Sequence, residues 1–179
     1  MRILFNVDPE TMTQLSIDHA LTAMTQGIQT RLDGLGVSNP AMIGIHSGGV
    51  WIAERLHQAL ALKEPLGHLD ISFYRDDFTR IGINPQVKPS HLPFDVDDRH
   101  IILIDDVLHT GRTIRAAMNE IFDYGRPATI TLAVLIDRGD RELPIEANII
   151  GHRMTLASGQ NVKLQGPDPL SLVIADKQQ

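Results

Sequence analysis

The chain has no cysteine, so it can form neither disulfides nor the thiolate zinc sites on which many small domains depend. It also has no apolar run approaching the roughly 18 residues that a membrane-spanning helix requires. The first residues, MRILFNVDPE, become acidic too early for a signal peptide. These absences predict a cytoplasmic protein that does not associate with a membrane.

An excess of basic residues is absent as well, because the formal net charge is −6. This charge argues against a strongly basic nucleic-acid binder, since neutralisation of phosphates dominates such affinities. The net charge does not argue against a local basic face on an otherwise acidic protein. With 179 residues, of which 42% are hydrophobic and 21% charged, the chain suits one domain with a sizeable core, spanning residues 1–179.

Apolar periodicity predicts three helices, the first over residues 8–33 with Asp8 as N-cap, the second from Trp51 and the third over 113–124. A strand from residue 42 is predicted to run into a tight turn at Gly48 and Gly49. Further strands are predicted at 68–74, 100–105 and 128–136, and near 147–151, 161–164 and 171–175. The alternation predicts an α/β fold with a mainly parallel sheet flanked by helices and a small strand-rich C-terminal part.

Residues 75–98 differ from the rest of the chain, since they carry three prolines, Pro85, Pro89 and Pro93, and few core residues. A loop of this length is unusual in a compact domain and is commonly a lid or an arm. We therefore expect a flexible arm here.

The stretch IILIDDVLHTGRT, residues 101–113, carries the clearest chemical signal. A buried strand ends in two acids, Asp105 and Asp106, where ligands of open α/β sheets gather. The residues that follow open a helix, whose free N–H groups and dipole favour an anion. Gly111 allows close backbone approach, and Thr110 and Thr113 add hydroxyl donors. A phosphate therefore fits over residues 109–113.

The two carboxylates cannot bind that phosphate, because they share its charge. They need hydroxyl donors or a cation nearby, and a ribose with a magnesium ion supplies both. A solvated turn or an N-cap is the structural alternative. The nucleotide motifs G-x-x-x-x-G-K-[ST] and G-x-G-x-x-G do not occur, so strand, paired acids and T-G-x-T loop together favour a site for ribose 5-phosphate.

The stretch ILIDDVLHTGRT resembles the phosphoribosyl diphosphate signature of the type I phosphoribosyltransferases. Together with DISFYRDDFTR and YGRPATITLAVLIDRGDRELPIEANIIG it closely resembles the PyrR family, over about residues 5–175. The resemblance implies the type I phosphoribosyltransferase fold, with a hood over about 147–175. It implies transfer of ribose 5-phosphate to uracil, with Mg²⁺ bound mainly through the substrate phosphoribosyl diphosphate (PRPP), giving uridine monophosphate (UMP) and pyrophosphate.

The same resemblance implies roles for individual residues. Asp105 and Asp106 would be catalytic and would hold the ribose, with the phosphate on His109, Thr110, Gly111, Arg112 and Thr113. The remaining roles fall to a pyrophosphate loop (His46, Ser47, Gly48, Gly49), a charged lid (Arg75, Arg80, Lys88) and a base site (Asp137, Arg138). Some relatives carry Lys and Arg in the pyrophosphate loop, where this chain has His46 and Gly48.

Three functional hypotheses follow from the resemblance. The first is uracil phosphoribosyltransferase activity combined with uridine-nucleotide-responsive regulation of pyrimidine genes through mRNA. The second is an RNA-binding regulator with weak or vestigial catalysis. The third, a purine phosphoribosyltransferase, is disfavoured by the DRGDRELP stretch. The family forms dimers or larger assemblies, which implies a homodimer or homotetramer.

Overall fold

The computed structural model describes the backbone of residues 9–72 and 90–176, and side chains from residue 17 onward within these ranges. The helices are α1 (Pro9–Leu35), α2 (Gly48–Ala59) and α3 (Arg112–Tyr124). The strands are β1 (Ala41–Ile45), β2 (Gly67–Leu69), β3 (His100–Leu108), β4 (Thr129–Asp137), β5 (Ile149–Arg153), β6 (Gln160–Gln165) and β7 (Ser171–Asp176). Asp8 and the predicted charged lid, Arg75, Arg80 and Lys88, lie outside the described residues.

Strands β1 to β5 form one parallel sheet in the order β2-β1-β3-β4-β5. The central strand β3 is an almost continuous apolar run because both of its faces are covered. Ile102 and Ile104 pack in the cluster that contains α1 and α2, whereas Ile101 and Leu103 pack in the cluster that contains α3. This arrangement confirms the predicted α/β fold with a parallel sheet flanked by helices.

A separate antiparallel pair, β6 and β7, makes the small C-terminal sheet. Val162, Leu164 and Leu172 from this pair are buried in the same cluster as α1 and α2. The predicted strand-rich C-terminal part is therefore confirmed, and its inner face is attached to the core of the main sheet.

Three of the differences from the predicted element boundaries concern the edge of the sheet where the acids lie. Gly48 and Gly49 form the first turn of α2, not a turn before it. Strand β2 ends at Leu69, where its pairing with β1 stops because β1 ends at Ile45. Strand β3 continues past its predicted end to Leu108, since it pairs with β4 as far as the end of that strand.

Candidate active site

A cavity of about 1080 Å³ opens at the carboxyl ends of the parallel strands. Its walls come from the segments that follow β1 and β2, from the end of β3 with the start of α3, from the end of β4, and from β6. The topology therefore brings together polar residues that are far apart in the sequence.

Asp105 and Asp106 both line this cavity, but they differ in burial. Consecutive residues of a strand point to opposite faces, so only one can face the cavity fully. Asp105 is 4% exposed, and its Oδ1 accepts the N–H of Asp106 over 2.9 Å. Asp106 is half-buried, and its Oδ1 accepts the N–H of Val107 over 2.9 Å. Oδ2 of Asp106 has no hydrogen-bond partner among the described residues and lies beside Gly48.

The segment after β1 approaches Asp106 from the other side of the cavity. The peptide bond between His46 and Ser47 is cis, and α2 begins directly afterwards. A Cβ atom on Gly48 would collide with the carboxylate of Asp106, and one on Gly49 would lie 2.6 Å from the carbonyl oxygen of Ile104. Glycine at both positions therefore lets the start of α2 lie against the end of β3.

The loop between β3 and α3 has the geometry of an anion cradle. Gly111 precedes α3 with a φ of 93°, which a side chain would strain. The hydroxyl of Thr110 accepts the N–H of Arg112 over 3.2 Å. The following N–H groups, including that of Thr113, lie in the first turn of α3, where a helix provides no partners of its own. Residues 109–114 line the cavity, and the N–H groups at a helix start suit a phosphate.

A second loop, residues 139–145, braces this cradle. The N–H groups of Glu142 and Leu143 both donate to the carbonyl oxygen of Thr110 over 3.0 Å. Glu142 also forms a 2.7 Å ion pair with Arg112. Arg141 donates to the carbonyl oxygens of His109 and Ile145 over 3.0 and 2.8 Å. The cradle is thus held by contacts from the end of β4.

Asp137 and Arg138 were predicted to face the same crevice, as the base site. Both residues line a depression beside the cavity, and Arg138 also lines the cavity itself. Burial alone would raise the pKa of Asp137. The N–H of Gly139 and the guanidinium groups of Arg141 and Arg153 outweigh it and hold that pKa below its usual range. Asp137 is therefore an ionised anchor for its surroundings.

Ser90 links two buried acids, Asp70, which lines the cavity, and Glu120. Asp70 is 8% exposed, and its N–H donates to the hydroxyl oxygen of Ser90 over 2.8 Å. Glu120 of α3 is 6% exposed, and its Oε2 has no hydrogen-bond partner among the described residues. Burial raises the pKa of Glu120, although a hydrogen bond with Ser90 opposes the shift.

Comparison with known proteins agrees with this geometry. The sequence model of the phosphoribosyl transferase domain matches residues 13–168. The bifunctional protein PyrR of Nitrosococcus oceani is 59% identical over 162 residues, covering 89% of this chain and 92% of that protein. PyrR of Pseudomonas aeruginosa PAO1 is 53% identical over 152 residues, covering 85% and 89%. The chain belongs to the PyrR family.

Solved structures of other phosphoribosyltransferases share the fold of this PyrR family member. Hypoxanthine phosphoribosyltransferase of Trypanosoma cruzi superposes with a TM-score of 0.66 at 17% identity, covering 93% of this chain and 95% of that one. Purine phosphoribosyltransferase of Pyrococcus horikoshii gives a TM-score of 0.59 at 25% identity, covering 79% and 85%. These likenesses support the fold and leave the choice of base open.

Several cavity residues were not anticipated from the PyrR-like motifs. Asp70, Glu142, Asn161 and Lys163 also line the cavity. Asp70 directly follows strand β2 and so gave a usable signal, whereas the β6 residues reach the cavity only through tertiary folding. Among the described helices, none is long and apolar enough to cross a membrane.

Proposed function

We propose that this protein transfers ribose 5-phosphate from PRPP to uracil, producing UMP and pyrophosphate. The observation that carries the proposal is the position of Asp106, whose carboxylate lies against Gly48 on one side and precedes the cradle of residues 109–113 on the other. A ribose with a phosphate at each end fits this order of Gly48 segment, carboxylate and phosphate cradle.

In this reaction the C1–O bond to pyrophosphate breaks and positive charge develops on the sugar. Asp106 and Asp105 would stabilise that charge and accept the ribose hydroxyls, which is electrostatic support aimed at the transition state. The 5-phosphate would bind the N–H groups at the start of α3 together with the hydroxyls of Thr110 and Thr113. Holding both ends of the sugar aligns C1 with the attacking nitrogen of the base.

The departing pyrophosphate would lie on the segment from His46 to Gly49. Its N–H groups can reach an anion because two glycines keep the backbone open. The base would lie beside Arg138, which is 8% exposed and whose guanidinium donates to Asn161 of β6. Arg75, Arg80 and Lys88 remain candidates to add charge over the pyrophosphate.

Magnesium fits this site through the substrate. Among the residues that the structure describes, no group of three His, Asp or Glu side chains could hold a metal ion. Mg²⁺ prefers oxygen ligands and usually keeps water and substrate phosphates in its shell. PRPP oxygens would supply most ligands, with Asp105 and Asp106 alongside. When bound, the ion neutralises charge on the leaving pyrophosphate.

An acceptor assay tests the enzymatic part of the proposal. Purified protein with PRPP and Mg²⁺ should convert uracil to UMP, and hypoxanthine should be a far poorer acceptor. Hypoxanthine is the informative control, because the fold is shared with purine enzymes. Turnover of hypoxanthine without turnover of uracil would assign the protein to the purine class.

We further propose that the protein regulates pyrimidine genes by binding mRNA in response to UMP. The family relationship supports this second activity, since the curated relatives are named bifunctional. Because the whole chain carries a net charge of −6, RNA would have to bind a local basic face. Filter binding should show a preference for pyrimidine-leader RNA that UMP strengthens and salt weakens steeply. Equal binding of an unrelated RNA would contradict regulation while leaving catalysis intact.

The proposal includes a cytoplasmic location and a homodimeric or homotetrameric assembly of single phosphoribosyltransferase domains. Light scattering at micromolar concentration measures the assembly directly. A monomer under those conditions would contradict it.

A further inference from the structure

Asn161 has a fixed amide orientation at the wall of the cavity. It lies near the start of β6, is exposed, and lines the cavity beside Arg138. Its Oδ1 accepts hydrogen bonds from Nη1 of Arg138 over 2.8 Å and from the N–H of Val162 over 3.1 Å. Both partners can only donate. Exchanging the oxygen and nitrogen of the amide would therefore set donor against donor twice.

The other end of this amide is unused. Nδ2 of Asn161 has no hydrogen-bond partner within residues 17–72 and 90–176, and the residue is exposed. Two N–H donors therefore remain beside the guanidinium of Arg138, which is itself a donor only. This part of the cavity wall consists of donors whose positions are fixed by folding.

We propose that Nδ2 of Asn161 donates a hydrogen bond to an exocyclic carbonyl oxygen of the pyrimidine base. The inference rests on the proposed function and adds a residue to its base site. Uracil carries two exocyclic carbonyl groups, which accept only, and it has no exocyclic amino group. A base with an amino group in the same place would set donor against donor and lose affinity. Asn161 thereby favours an oxo-substituted base.

A purely structural role for Asn161 makes a different prediction. If the amide served only to hold Arg138 and the turn at Val162, its oxygen would be sufficient. Asn161→Asp keeps an oxygen for both donors and removes the Nδ2 group. This variant therefore separates contact with the base from support of Arg138.

Titration calorimetry with two probes tests the inference. UMP contains the base, whereas ribose 5-phosphate contains only the sugar and phosphate. In Asn161→Asp the dissociation constant for UMP should rise about tenfold or more, the cost of one lost hydrogen bond plus acceptor repulsion. That for ribose 5-phosphate should change less than about twofold, because its contacts lie at β3 and α3.

Gln165→Glu is the matched control, since it makes the same chemical change on the same strand at an exposed position that does not line the cavity. It should leave both constants unchanged. Equal weakening of both probes by Asn161→Asp would overturn the inference, because the new charge would then act on the phosphate. Unchanged UMP binding would overturn it as well. Asn161→Ala, checked by thermal melting, should show the same selective loss for UMP if the Asp variant does not fold.

The two proposals fail in different ways. If the wild-type protein binds ribose 5-phosphate and turns over PRPP but shows no preference for UMP, the uracil assignment is wrong. If the wild-type protein converts uracil and Asn161→Asp does so with unchanged uracil KM, only the role of Asn161 is wrong.

Discussion

Nη1 of Arg141 donates a 3.0 Å hydrogen bond to the carbonyl oxygen of His109, although the two residues belong to different loops. The same guanidinium forms a 2.8 Å ion pair with Asp137 at the end of β4. One side chain therefore links the phosphate cradle to the strand beside the proposed base site. Its ionised partner, with a lowered pKa, keeps that link charged.

Arg141→Gln should raise KM for PRPP more than it lowers kcat, because the cradle loses a support and no reacting group is removed. We expect kcat/KM to fall about tenfold, as befits one or two lost hydrogen bonds to charged groups. Arg153→Gln is the control, since Arg153 pairs with the same carboxylate at 3.2 Å but is 75% exposed and donates to no cradle carbonyl in the described residues. Equal effects of the two variants on KM would show that the arginines act through their ion pairs with Asp137 and not through support of the cradle.

Gly48→Ala separates helix propensity from the needs of the site. Gly48 is the first residue of α2 and has no positive φ, so replacing it with alanine would by itself stabilise the fold by up to about 1 kcal/mol. The new Cβ would nevertheless collide with the carboxylate of Asp106. We expect turnover of uracil to fall about a hundredfold, because displacement of a catalytic group by an ångström has effects of this size.

Gly34→Ala is the matched control for that substitution. Gly34 lies in α1, and a Cβ there would meet nothing within 4 Å. The substitution should raise the melting temperature slightly and leave turnover unchanged. Turnover in Gly48→Ala equal to that in Gly34→Ala would mean that Asp106 is free to move aside.

Asp106→Asn tests the electrostatic role of the carboxylate at nearly constant shape. Each charge-assisted hydrogen bond is worth roughly 1.5–3 kcal/mol, so kcat should fall between about tenfold and a hundredfold. Stability should change little, since Asp106 is half-buried and its Oδ1 bond to Val107 survives in the amide. Asp18→Asn, on an exposed position of α1, serves as control. If Asp106→Asn has the wild-type kcat, the acid pair serves only as a structural cap.

The sequence predicted the central elements well for an identifiable reason. Strands β3 and β4 are buried on both faces, so their apolar runs are long and bounded by polar residues. Helix α3 follows β3 after a short loop and begins one residue before its predicted start. The hydrophobic pattern therefore determines these elements almost alone.

The errors occur where tertiary contacts decide the structure. The end of β2 depends on the length of its neighbour β1, which local pattern does not encode. Gly48 and Gly49 read as a turn by composition, yet close approach of α2 to β3 is what requires them. Asn161 reaches the cavity from the C-terminal sheet, and no spacing relative to Asp105 signals that position.

The buried acid Glu120 predicts a pH-dependent stability difference. Its pKa in the folded protein is raised above 4.5, chiefly by burial. Such a group contributes fully to stability below its unfolded pKa, and the contribution is lost as pH rises through the folded pKa. Glu120→Gln imitates the protonated form and cannot ionise. It should therefore melt at a higher temperature than wild type at neutral pH, with the difference disappearing below about pH 4.5.

Thermal melts of both proteins from pH 4 to pH 8 measure this difference. Glu54→Gln makes the same change at an exposed position of α2 and controls for loss of net charge. A constant offset between wild type and Glu120→Gln across the range would mean that Glu120 does not change its protonation. A lower melting temperature for Glu120→Gln at neutral pH would mean that the ionised carboxylate is stabilised behind the cavity, where the described residues leave its Oε2 without a partner.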